Sequence, residues 1–332
     1  MNKLILIFVL LLTGCGSIRD NTPTIKDING VSIKPYFSLT KSNYKNGGGV
    51  DDLIIDDINS AKKNIRLAIY GFSNDRIRDA ILNAHKRGVE VKVATDDSQL
   101  YKENIRMLIE AGIEVTDDKK PSSIMHHKFL IVDENIVWSG SANYGYYAFY
   151  KNNENLVKFK SSKIAKVYKE EFDELVNHVD KEGAYVSDIL EIYFSPEDDF
   201  EQRLLSLIES ADESIDFLAY AFTDKKIEKS LKDMYNKGVK IRGVYDEKWN
   251  KSSKYSTYPA LLSFGLNVKL DGNKQTQHNK VFIIDNKTVV TGSYNFTNKA
   301  NNANNENAIV VHNKEFASRY EDEFEDIFAL GL

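Results

Sequence analysis

The chain has 332 residues, 42% of them hydrophobic and 28% charged, with five prolines and one cysteine. That composition excludes a disordered or disulfide-stapled chain and supplies ample apolar material for a large core. A formal net charge of −5 excludes a global electrostatic pull on nucleic acid or anionic lipid, so any anionic substrate has to be held by local basic groups.

At the N-terminus, Met1-Asn2-Lys3 forms a short positive head and Leu4 to Leu12 an unbroken apolar run. As a helix that run rises only about 14 Å, far short of a bilayer core, which predicts a processed targeting segment rather than a membrane span. The sequence Leu12-Thr13-Gly14-Cys15 resembles the bacterial lipoprotein signal. The resemblance implies cleavage before Cys15, lipidation of its sulfur, and a protein anchored to a membrane in the cell envelope, outside the cytoplasm. Ser17 stands near the place where enteric inner-membrane lipoproteins carry Asp, which points to the outer membrane. Residues 1–14 are thus expected to be a signal peptide and 15–32 a polar tether, followed by domains at 33–180 and 190–330.

Apolar spacing predicts a helix over Leu53–Lys62, a strand over Ile65–Tyr70, a helix over Arg76–Lys86 closed by Gly88, a strand over Glu90–Ala94, and a helix over Asn104–Ala111 ended by Gly112. Two short strands, Phe129–Val132 and Ile136–Trp138, flank a tight turn at Asp133-Glu134-Asn135, and a helix over Ser162–Val179 closes the set. The order then repeats. Met125-His126-His127-Lys128-Phe129 matches Gln277-His278-Asn279-Lys280-Val281 at an offset of 278 − 126 = 152. The same offset carries Gly140-Ser141-Ala142-Asn143 onto Gly292-Ser293-Tyr294-Asn295, and Asn153-Glu154-Asn155 onto Asn305-Glu306-Asn307. Upstream, Tyr70 matches Tyr220 and Asp96 matches Asp246, both at 150. A net insertion in the first half falls near Lys41 to Val50, where Gly47-Gly48-Gly49 reads as a flexible loop. Alternating strands and helices in two copies predict an α/β fold, with a mixed and largely buried sheet in each half and the halves packed about a pseudo-two-fold axis.

Two residues apart on a strand, His126 and Lys128 share one face, as do His278 and Lys280. An imidazole beside an ammonium suits a phosphate: the first is nucleophilic near neutrality, the second a point charge for phosphoryl oxygens. Ser141, Asn143, Ser293 and Asn295 follow strand ends and can add neutral donors to the same anion. Glu154 lies 28 residues past His126 (154 − 126), as Glu306 does past His278 (306 − 278), and is expected to fix the tautomer of its own half's histidine. His127 faces the other side of its strand and is replaced by Asn279, so it is read as non-catalytic. His85, His178 and His312 have no repeat partner and are read as solvated or structural. Asp96 and Asp246 are expected to cap or turn the chain at strand ends. The tyrosines Tyr144, Tyr146, Tyr147 and Tyr150 suit either a substrate groove or packing. No local two-histidine helix or cysteine pair suggests zinc.

The pattern His-x-Lys-x4-Asp-x6-Gly-Ser-x-Asn, present twice, resembles the phospholipase D superfamily, and the similarity runs from about Tyr36 to Phe328. The resemblance implies a duplicated α/β/α sandwich and phosphodiester hydrolysis through a phosphohistidine. His126 would be the nucleophile and His278 the general acid. Lys128, Lys280, Asn143 and Asn295 would bind the phosphate, Glu154 and Glu306 would orient the histidines, and Asp133 and Asp285 would be structural members of the motif. It implies no metal or other cofactor. With both half-sites in one chain, a monomer suffices. Phospholipid cleavage of the phospholipase D type is the expected reaction, favoured by the lipid anchor. Cleavage of DNA or RNA is the alternative, disfavoured by the absence of a basic stripe. A non-catalytic phosphate-binding scaffold is disfavoured by two intact motifs.

Overall fold

The structure, a computed structural model, describes residues 24–26, 30–40, 47–120 and 122–332. The signal segment, Cys15, most of the tether and residues 41–46 of the inserted loop lie outside the described residues.

Each half builds one eight-stranded mixed sheet. In the first, Asn64–Ile69 runs parallel to Glu90–Thr95, which runs parallel to Glu114–Asp117. On its other side it pairs antiparallel with Lys128–Val132, which leads through Ile136–Gly140 and Asn155–Lys160 to Ser32–Phe37 and Ile25–Lys26. The second sheet repeats this with Ser214–Ala219, Lys240–Tyr245 and Asn267–Leu270 on one side, and Lys280–Ile284, Thr288–Gly292, Glu306–His312, Leu190–Ser195 and Tyr185–Val186 on the other. The expected elements are all present. The second strand of each hairpin extends two residues further than its apolar run suggested, to Gly140 in the first half.

The period-two rule decides which core each strand residue joins. Leu130 and Val132 face an outer core with Ile54, Ile58, Ile81 and Leu108 from the outer helices. Phe129 and Ile131 face inward, into a central core that both halves share. The closing helices Ser162–Asn177 and Lys314–Leu330 lie in that central layer. Tyr168 of the first helix meets Phe194 of the opposite half at 5.5 Å between ring centroids, and Tyr320 of the second meets Phe37 at 5.1 Å. Burial of each such aromatic contributes on the order of 2–3 kcal/mol, so the two halves form one hydrophobic unit rather than two beads.

The hairpin turns have positive φ at both central residues, Asp133 and Glu134 in one half and Asp285 and Asn286 in the other, as a type I′ turn requires. Asp133 then accepts from the amides of Lys62, Lys63 and Asn64 at 2.7–3.1 Å, and Asp285 from those of Asp212, Glu213 and Ser214 at 2.8–3.1 Å. Both aspartates tie the hairpin to the start of the neighbouring strand, far from the histidines. The glycine run is less free than its composition suggested: Gly47 N–H donates to the Tyr150 hydroxyl and Gly48 N–H to Asp52.

A candidate active site at the seam between the halves

The strands that carry Lys128 and Lys280 are entered through short segments that cross to the other half. Met125 bridges Asn305 in parallel, and Asn153 bridges Gln277. His126 N–H donates to Asn305 C=O and His278 N–H to Asn153 C=O, each at 2.9 Å. This pairing sets each histidine beside the residue after its bridge partner. His126 Nδ1 therefore lies 2.8 Å from Glu306, and His278 Nδ1 lies 2.9 Å from Glu154. The sequence reading had each glutamate serving its own half; the structure exchanges them. Equal spacing within both halves cannot distinguish the two arrangements, and the bridging segments decide between them.

Both histidines are nearly buried, at 6% and 8% exposure, while Lys128, Lys280, Glu154 and Glu306 are fully buried. A carboxylate on Nδ1 holds that proton and leaves Nε2 as the free nitrogen. Lys128 Nζ donates to His126 C=O, and Lys280 Nζ to His278 C=O, so each ammonium is folded back beside its histidine. Tyr70 and Tyr220, whose match in the repeat was visible but assigned no role, pack their rings edge-on to His126 and His278 at 5.3 and 4.6 Å. Each also lies under its half's lysine, at 5.6 and 5.0 Å.

Burial sets the charge states. His126 is pushed well below the ordinary imidazole range by desolvation and then by Lys128, Lys280 and His278. His278 is lowered too, by burial, but the adjoining Glu154 works against the shift. Lys128 falls to about 7 and Lys280 to about 8, both through desolvation, with the two glutamates partly restoring them. Burial pushes both glutamates up. For Glu154 it is outweighed by His278, Lys280 and Ser141, which hold the carboxyl low; for Glu306 burial prevails and lifts it to about 7. Each lysine thus feels both glutamates, one from each half.

The motif serines do not face the anion. Ser141 is fully buried and donates to Glu154 at 2.6 Å, while Ser293 accepts from Asn307 N–H and supports Glu306. They hold the glutamates, which corrects their expected place as donors to substrate. The motif glycines are needed for a close approach: a Cβ on Gly140 would stand 2.3 Å from Asn155 C=O, and one on Gly292 would stand 2.3 Å from Asn307 C=O. Asn143 Oδ1 accepts from Gly71 N–H at 3.2 Å, and Asn295 Oδ1 is buried without a partner.

Asp96 and Asp246 act as caps with a second task. Each caps the turn after its strand, and each accepts the amide just before the histidine, from Met125 or Gln277, at 3.1 Å. His127 points into the central core, where its Nε2 meets Glu171 at 2.7 Å. His178 is the left-handed C-cap of its helix, and His312 bonds Glu191 and Thr288. Of the tyrosine cluster, Tyr144 and Tyr150 are buried, Tyr146 stacks on Tyr150, and Tyr147 is exposed, so packing absorbs most of it. Among the described residues two carboxylate groupings, Asp96/Asp97/Asp118 and Glu171/Glu174/Glu197, bring oxygens within 4.8 Å of one another. Neither includes His126 or His278; Asp96, Asp118 and Glu174 accept from the amides of Met125, Asp97 and Lys181, and Glu171 is paired with His127.

A family profile described as "Cardiolipin synthase, PLD-like domain" matches residues 54–176 and 204–328, one copy per half. The chain belongs to this phospholipase D-like family. It is 32% identical over 123 residues to a mitochondrial cardiolipin hydrolase of Chlamydomonas reinhardtii, covering 36% of this chain and 55% of that one. It is 36% identical over 127 residues to a phospholipase D of Rickettsia conorii, covering 38% and 63%. The match thus spans little more than half the length of these relatives. The solved phosphatidylserine synthase of Haemophilus influenzae shares the fold across 94% of this chain and 89% of its own, with a TM-score of 0.68 and 13% identity.

Proposed function

We propose that the protein is a phosphodiester hydrolase working through a phosphohistidine, and that it cleaves phospholipids in the manner of a phospholipase D. The observation that carries this reading is the exchange of glutamates. Two buried imidazoles, each with Nδ1 held by the other half's carboxylate, keep Nε2 free beside two lysines. His126, the more firmly neutral, attacks phosphorus through Nε2 and forms a P–N bond as the P–O bond to the leaving alcohol breaks. His278 acts as the imidazolium, its Nδ1–H held by the ionised Glu154 and its charge balanced by the bound phosphodiester, and gives its Nε2 proton to that alkoxide. It then takes a proton from water, whose oxygen displaces His126 and releases the phosphomonoester. Lys128, Lys280, Asn143 and Asn295 hold the phosphoryl oxygens. The named relatives, a cardiolipin hydrolase and a phospholipase D, support a lipid substrate. A lipid anchor at Cys15 would place this monomeric enzyme on a membrane of the cell envelope.

The test compares vesicles of phosphatidylethanolamine, phosphatidylglycerol and cardiolipin with plasmid DNA and RNA. Lipid turnover is expected, with an acid-labile phosphoprotein trapped on His126. His126→Ala and His278→Ala should each lower kcat by about 10⁴-fold or more. Cleavage of nucleic acid with lipids untouched would replace the substrate, and wild-type activity in His126→Ala would overturn the mechanism. Cys15→Ala should release the protein from membranes.

A further inference from the structure

Both halves carry a pair of aspartates beside the site and use them differently. Asp96 matches Asp246 at an offset of 150 (246 − 96), and Asp118 matches Asp271 at 153 (271 − 118), so the segment between them is three residues shorter in the first half. Each aspartate follows directly on a strand of a parallel pair, Glu90–Thr95 with Glu114–Asp117 in one half and Lys240–Tyr245 with Asn267–Leu270 in the other. Asp118 Oδ1 accepts from Asp97 N–H at 3.1 Å, just as Asp271 Oδ1 accepts from Glu247 N–H at 2.7 Å.

The second oxygen separates the two. Asp271 Oδ2 accepts from Asn273 N–H at 3.2 Å. Asp118 is only 5% exposed, and its Oδ2 is buried with no donor. Burial and the charges of Asp96 and Asp97 all act against its ionisation. The residue between is turned differently as well. Glu247 reaches out to Lys251 at 2.6 Å. Asp97, at the matching position, keeps its carboxylate with Asp96 and Asp118, and one oxygen from each of the three lies within 4.8 Å of the others. Among the described residues none of the three has a basic partner. An unpaired buried acceptor is costly, and a cation answers both the missing donor and the gathered negative charge. Hard carboxylate oxygens suit calcium, whose contacts of about 2.3–2.6 Å span oxygens at this spacing, while magnesium demands a tighter octahedron. Asp97 is half-buried and leaves the grouping open to solvent on its side. Asp96 also accepts the Met125 N–H, so the grouping is fastened to the segment that leads into His126.

We propose that Asp96, Asp97 and Asp118 form a binding site for a calcium-sized divalent cation, present in the first half and not in the second. The experiment titrates calcium chloride into the full chain, freed of metal with a chelator, by isothermal calorimetry, and follows thermal unfolding with and without saturating calcium. Wild type should bind one equivalent and unfold about 2–5 °C higher with calcium. Asp118→Asn keeps an acceptor for the Asp97 amide; it should weaken binding at least about tenfold and lose the calcium-dependent rise. Asp97→Asn, at the half-buried position, should do the same and keeps the test available if Asp118→Asn does not fold. Asp271→Asn, at the matching place of the second half, should bind as wild type does. The site is wrong if wild type takes up no calcium at about 10 mM, if either folded first-half variant binds as tightly as wild type, or if Asp271→Asn loses as much as they do. None of these measurements involves a phosphodiester, so their outcome is separate from that of the substrate reading.

Discussion

The two halves of this chain agree closely where they touch and diverge where they do not. At the seam the matches are residue for residue: His126 with His278, Lys128 with Lys280, Glu154 with Glu306, Gly140 with Gly292. One step away they part. The segment beside Gln99 is three residues shorter than the one beside Trp249. The difference teaches that the repeated chemistry is a property of the interface, because His126 and His278 each take a carboxylate from the opposite copy. The flanks answer only to their own half and are free to fill or open.

The largest effect should come from uncoupling a crossed pair. Glu306→Gln replaces a carboxylate by an amide that holds the wrong tautomer as readily as the right one, and should lower kcat/KM by about 10²- to 10⁴-fold. Nuclear magnetic resonance tells whose partner was lost. The downfield imidazole N–H resonance absent in His126→Ala should be displaced in Glu306→Gln and retained in Glu154→Gln; the opposite result would restore the same-half pairing. Next, Gly140→Ala drives a Cβ into Asn155 C=O at a φ of +151°, and should cost about 3 kcal/mol or more of stability in thermal unfolding. A smaller loss, about 1–3 kcal/mol, is expected from His127→Asn, which copies the second half but leaves the buried Glu171 without its partner. Denaturant titration should show that loss with kcat little changed. The smallest effect is a shift in pH profile. Lys128 and Lys280 must be protonated to hold phosphate, and in the free protein they lose their protons near 7 and 8. The value of kcat/KM should therefore fall as pH rises through that window. Lys128→Arg stays cationic, so the falling limb should move up by about one unit, toward the value set by Lys280.

Much of this was legible in the sequence because repetition is a strong signal. Two copies of a six-position motif define the sheet face of His126 and Lys128, and the apolar periods place the long helices of the first half and four of its eight strands, but not Ser32–Phe37, Glu114–Asp117 or Asn155–Lys160. Three things were not legible. The partner of each glutamate was hidden because a spacing of 28 is the same in both copies. The serines were misplaced because a hydroxyl after a strand end can turn either to the ligand or back to its own chain, and only the proximity of Glu154 and Glu306 decides it. Tyr70 and Tyr220 matched in the repeat but lie well before the motif in sequence, and only the pairing of Ile69 with Lys128 brings Tyr70 beside His126.

The crossed glutamates also bear on how such a chain can change over time. A substitution at Glu154 injures the histidine of the other copy, and one at Glu306 injures His126, so neither copy can decay into a silent passenger while its twin carries on. The duplication put both half-sites into one chain without granting either copy independence, and at the seam the two are inherited as a single locus of constraint.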